Sequence, residues 1–156
     1  MTILLISRTT NALRFARRPP THPIYEEYED EIPDQNDIVA RYEYALDAVQ
    51  TLFPDFAKAG RYKNLGDLYS LFVALATTKS QGKIIPAAAR PLGSLRTALL
   101  KFAEQVSKRL ADGNARVSDE AVKYARAIEK AVNDKSRRAA RHAVLMALLE
   151  DHLVPE

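Results

Sequence analysis

The chain has 156 residues, 47% of them apolar and 28% charged, carries a net charge of +3 and contains no cysteine. That length suits a single core and that apolar share excludes a disordered chain, while the missing cysteines exclude a disulfide scaffold, a thiolate metal site and a cysteine nucleophile. The only N-terminal apolar run, Ile3 to Ile6, is far shorter than a signal-peptide core or the roughly 20 residues that span a bilayer, so a cytoplasmic location is expected.

Residues 1–18 read either as a strand followed by a helical turn or as one helix. Pro19, Pro20 and Pro23 then dictate an extended path, because proline lacks an N–H and disfavours helix in the residue before it. The run from Tyr25 to Glu31 is dense in like charge and closes at Pro33, which suits an exposed linker or an acidic docking segment. Residues 1–36 thus form an irregular, Pro-rich and acidic segment, and a helical domain is expected over 37–156.

From Asp37 the residues Ile38, Tyr42, Ala45, Leu46, Val49, Leu52 and Phe53 recur at spacings of three and four, the stripe of a helix that Pro54 should stop. Asn64 offers an N-cap for a second helix, with Asp67 in its first turn and Leu68, Leu71, Phe72 and Leu75 as its stripe. Gly82 and Pro86 end that run, and residues 80–90 make a connection rich in small side chains. Pro91 fits the first turn of a third helix, whose Leu92, Leu95, Leu99, Phe102, Val106 and Leu110 keep a regular period up to Gly113. Ser118 caps a fourth, with Val117 set to staple onto Val122 and an apolar face of Val122, Ala125, Ile128 and Val132. A fifth should begin near Asp134 and run to about Leu153, basic in its first half and apolar in its second. No period-two pattern competes after residue 24, so the expected fold is all-α, a compact bundle of about five helices.

Charge is unevenly spread along these elements. Residues 79–141 carry 15 basic and 6 acidic side chains, whereas residues 1–78 carry 8 and 11, and residues 142–156 carry 0 and 3. A basic block of this kind attracts phosphate or an acidic protein surface without regard to sequence. Its densest part supplies the candidate nucleic-acid-binding face: Lys123, Arg126, Lys130, Arg137, Arg138 and Arg141, with Lys135 between. On a helix, Arg137, Arg138 and Arg141 lie three and four apart and make one ridge. Tyr124 is the one aromatic residue among them, so contact with the backbone is expected rather than stacking on bases.

Signatures of catalysis are sparse: there is no Gly-rich phosphate loop, no G-x-S-x-G and no H-E-x-x-H. His142, Asp151 and His152 are spaced nine and ten residues apart, two to three helical turns, so no metal and no cofactor is expected. One local pattern stands out. Arg137 and His142 resemble the R-x4–6-H motif of HEPN ribonucleases, small helical bundles that act as dimers, in which the arginine would hold phosphate and the histidine would assist cleavage. On one continuous helix a spacing of five turns the two side chains about 140° apart, so they would converge only across a dimer axis or at a distorted turn.

Several stretches together resemble the helical C-terminal part of GmrSD-like proteins, restriction and phage-defence proteins of the ParB superfamily. They are Leu52-Phe53-Pro54, Arg61-Tyr62-Lys63-Asn64, the run from Asp67 to Leu75, Tyr124-Ala125-Arg126-Ala127, and the run from Asp134 to His142. The resemblance spans residues 38–150. It implies a non-catalytic accessory domain that contacts DNA or a partner subunit, because the D-G-Q-Q-R motif of the family's N-terminal domain and its H-N-H nuclease motif are both missing from this sequence. The family's Asp-aromatic-Tyr-x-Leu-Phe pattern appears as Asp67, Leu68, Tyr69, Leu71 and Phe72, with leucine in place of the aromatic; apart from Asp67 these read as core residues. Three readings follow: the accessory binding domain, a HEPN-like metal-independent ribonuclease working as a homodimer through Arg137 and His142, and a purely structural protein-interaction module.

Overall fold

A computed structural model describes residues 34–129 and 134–156. Among them are five α-helices: α1 (Gln35–Leu52), α2 (Leu65–Ser80), α3 (Ala89–Ala111), α4 (Asp119–Glu129) and α5 (Lys135–Glu150). Two short 3-10 turns, Phe56–Lys58 and Gly60–Lys63, join α1 to α2. The fold is the all-α bundle its periodicity predicts. The acidic segment, Lys130 and Val132 lie outside the described residues.

Local chemistry accounts for the helix ends. Leu52 closes α1 two residues before Pro54, and Arg96 of α3 caps that end from outside, its Nε donating to the Leu52 carbonyl at 2.6 Å and its Nη2 to the Thr51 carbonyl at 3.0 Å. Helix α2 ends at Ser80, where Gly82 takes a φ of +67° and so turns the chain as a residue with a side chain would not readily do. Pro91 is the third residue of α3, where its missing N–H costs no helical bond. Ser118 and Asp134 cap the last two helices: Ser118 Oγ accepts from the Ala121 amide at 3.3 Å, and Asp134 Oδ1 accepts from the amides of Ser136 at 2.9 Å and Arg137 at 3.3 Å.

Helix α3 packs on α4, α4 on α5, and α5 on α2, with the second 3-10 turn wedged against both α2 and α3. Leu95, Leu99, Phe102 and Val106 of α3 meet Leu71 and Leu75 of α2, Tyr124 of α4, and Leu145 and Leu149 of α5 in one buried cluster. Two aromatic pairs fix its ends, Phe53 stacked on Tyr62 at 5.4 Å and Phe102 edge-on to Tyr124 at 5.3 Å. The connection after α2 contains a two-residue strand, β1 (Lys83–Ile84), paired antiparallel with β2 (Val154–Pro155). No period-two pattern announces it, since two residues carry no alternation to read. Ion pairs Lys79–Glu156 and Lys83–Glu150 fasten the same corner.

Three expected faces are corrected. In α1 the stripe is buried only at Ala45, Leu52 and Phe53: Ile38 is 45% exposed, Tyr42 54% and Leu46 39%, while Ala48 takes an inner position. In α4 the inner face is Ala121, Tyr124, Ala125 and Ala127, with Val122 and Ile128 half-buried at its flanks. Small alanines let α4 approach both neighbours, so the larger aliphatic side chains sit at its edges. Tyr69, read as a core residue, is exposed on the outer side of α2.

Candidate functional site

The basic residues singled out by sequence divide into two sets. Lys123 and Arg126 are neighbours on α4 and both exposed; Arg138 is exposed in the first turns of α5. Arg137 is half-buried and bridges the two helices, its Nη1 donating to the Arg126 carbonyl at 3.0 Å. That bond holds the basic end of α4 and the basic start of α5 at one corner. Among the described residues none of Lys123, Arg126, Arg137 and Arg138 forms an ion pair. Asp134 is the acid nearest in sequence to Arg137 and Arg138, and it is occupied: the Ser136 hydroxyl first, then the amides of Arg137 and Ser136, hold its carboxyl below the usual range.

Arg141 belongs elsewhere. It is 2% exposed, and its Nε donates to Ser70 Oγ at 3.0 Å and its Nη1 to the Ala127 carbonyl at 3.2 Å. The expected ridge through Arg137, Arg138 and Arg141 is therefore corrected to an outer pair and an inner arginine. A spacing of three falls about 60° short of a full helical turn, and because α5 is clasped by α2 and α4, that rotation carries Arg141 from the flank into the seam.

Arg137 and His142 do not converge within one chain. Helix α5 runs unbroken through both, Arg137 turns to α4, and His142 is half-buried with its Nδ1 enclosed and lacking a hydrogen-bond partner. Among the described residues no three His, Asp or Glu side chains assemble as a metal shell. Asp151 and His152 instead line a surface cleft of about 390 Å³ with Lys101, Gln105 and Glu120.

The seam that holds Arg141 is the most organised polar feature of the bundle. Its centre is Asp67, only 4% exposed. Asp67 Oδ2 accepts from Arg61 Nη2 at 2.8 Å and from Asn64 Nδ2 at 3.4 Å, and Oδ1 accepts from the Tyr124 hydroxyl at 3.1 Å. One turn along α2, Ser70 Oγ accepts from Arg141 Nε and donates its own hydrogen bond to the Gly66 carbonyl at 2.7 Å. Burial, then the charge of Asp67 and the bond to it, pushes the Tyr124 phenol far above its ordinary value; burial likewise raises that of Tyr62, whose hydroxyl is enclosed without a partner. The seam thus links the second 3-10 turn, α2, α4 and α5 through charge-assisted bonds in a low-dielectric interior.

Sequence reading missed this arrangement because it assigned Asp67 and Asn64 local duties. Asn64 does occupy the N-cap position, but its side chain makes no cap bond and turns to Asp67. The readable signal was an acidic residue whose neighbours three positions away, Ser70 on one side and Asn64 on the other, are polar on an otherwise apolar face.

Comparison of the chain with protein-family models, with curated proteins and with solved structures finds no match. No helix among the described residues is long and apolar enough to cross a membrane.

Proposed function

We propose that the chain is a non-catalytic helical domain that holds nucleic-acid backbone at the α4–α5 corner, through Lys123, Arg126 and Arg138, with Lys130 completing the same basic run. The observation that carries this reading is that these described side chains are exposed and make no ion pair among the described residues, although 15 of the chain's 20 acidic residues lie among them. Unpaired cations grouped at one corner release counterions when phosphate replaces them. Stacking on bases has no support at this corner, because the one aromatic residue of the stretch, Tyr124, is buried. The proposed setting is an accessory domain of a GmrSD-like defence system, which the sequence resemblance over residues 38–150 supports.

The test is a mobility-shift titration of a short DNA duplex with the full chain and with a K123E/R126E/R138E variant. Duplex binding by the parent and its loss in the variant are expected. Equal affinity of the two would refute the proposal, and binding of an acidic protein surface but no duplex would move the corner to a protein partner.

A further inference from the structure

Helix α1 carries more apolar surface than the bundle covers. At 100° per residue its apolar side chains occupy an arc of about 180°, twice what one core-facing stripe needs. Ala45, Ala48 and Leu52 fill the buried half, and Ile38, Val39, Tyr42 and Leu46 fill the other, which is exposed. The helix is fastened by its second half. There the Tyr44 hydroxyl accepts from the Ile85 amide at 2.8 Å and Arg96 reaches the Leu52 carbonyl at 2.6 Å, whereas residues 36–40 are all exposed. Tyr42 stands edge-on to Phe72 at 5.3 Å, and at that contact the uncovered arc meets a stripe of α2 formed by Leu65, Tyr69 and Phe72. Leu65 and Tyr69 are exposed as well, so six of the eight large apolar side chains exposed among the described residues lie on these two stripes. Single apolar residues are ordinary on a protein surface, but such a grouping marks a place where another molecule docks.

Charge decides what fits this face. The one cation of α1, Arg41, is held by Asp37, Nη2 to Oδ2 at 2.7 Å and Nε to the Asp37 carbonyl at 3.3 Å. Glu43 and Asp47 lie beside the exposed arc on the side away from the bundle, both exposed and without an ion pair among the described residues. An antiparallel two-fold pairing with a second copy would bring like carboxylates to the same edge of the seam, which opposes that arrangement. A helix with an apolar face and Lys or Arg along its flanks meets both features. Ile38, Tyr42 and Leu46, each four residues apart, form a single ridge that the ridges of such a helix can straddle at a crossing angle of about 50°.

We infer that the exposed face of α1, continued by Leu65 and Tyr69 of α2, docks an amphipathic helix of a partner protein whose flanks carry Lys or Arg. This surface is distinct from the basic corner of α4 and α5 and does not depend on the function proposed for it.

The full chain is titrated with a synthetic leucine-faced helix flanked by lysines, and with the same helix flanked by glutamates, and binding is read from the amide resonances of the chain. Saturable shifts at Val39, Tyr42, Leu46 and Tyr69 are expected with the lysine helix, with affinity at these residues at least about tenfold weaker for the glutamate helix. E43K/D47K should reverse that preference while keeping the parental helix content, because both positions are exposed. R126E/R138E, at the outer corner, should leave it unchanged. Equal affinity for the two helices at these residues, shifts confined to other elements, or the parental preference in E43K/D47K would overturn the inference. Should E43K/D47K not fold, Val39→Lys decides: undiminished affinity for the lysine helix refutes the surface. A parental dimer in sedimentation equilibrium that V39K dissociates would assign the face to a second copy and overturn the partner helix.

Discussion

The outer corner and the inner seam use the same residue type to opposite ends. Arg126 and Arg138 face solvent and form no ion pair among the described residues, whereas Arg141, three residues from Arg138, is enclosed against Ser70 and the Ala127 carbonyl. Position on a clasped helix, not residue identity, decides which arginine is available to a partner. Helix α5 is where the two regions touch: its first turns carry the corner, and its second turn closes the seam.

This contrast predicts sharply different responses to substitution. The largest effect should come from Asp67→Ala, which strips Arg61 and the Tyr124 hydroxyl of their shared acceptor inside the bundle and should cost about 3 kcal/mol in urea denaturation. Arg141→Met removes the donors to Ser70 and Ala127 and should cost about 2 kcal/mol. Arg138→Met, the same chemical change outside, should stay within about 0.5 kcal/mol. Equal losses from the two methionine variants would erase the distinction between seam and corner.

Tyr124→Phe should cost about 1 kcal/mol at neutral pH, because Asp67 keeps Arg61 and Asn64 as donors. Its signature lies at alkaline pH. The folded state raises the Tyr124 phenol above its ordinary value of 10.0, so it favours the protonated form. The resulting stabilisation is fully present below about pH 10 and is lost as pH rises beyond it, when the unfolded chain ionises first. Stability should therefore fall above pH 10, and less steeply in Y124F than in the parent. Tyr62 and Tyr44, both raised in the same direction by burial, contribute to the part of the fall that Y124F leaves. Parallel pH profiles for Y124F and the parent would show that folding does not hold the Tyr124 phenol above its ordinary range.

The bundle was largely legible because helices advertise themselves through period. Leu95, Leu99, Phe102 and Val106 read as one face and pack as one face. Ser118 and Asp134 announced their helices by cap chemistry that needs only neighbours in sequence. Long-range relations were not legible. Arg141 looked like a surface cation because nothing local marks that α2 and α4 close over it, and Tyr124 looked like a stray aromatic because its partner, Asp67, is 57 residues away. The outward turn of Ile38, Tyr42 and Leu46 escaped for the related reason that period shows a face but not whether anything covers it.

The most direct test of the account is the salt dependence of duplex binding, measured in parallel for the parent, for K123A/R126A/R138A and for Arg141→Met. Each phosphate contact removed flattens the plot of log affinity against log salt by about 0.9. The account predicts a slope flatter by roughly two to three in the triple variant and a parental slope in R141M, whose arginine never reaches the DNA. A parental slope in the triple variant, or a flattened one in R141M, would contradict it.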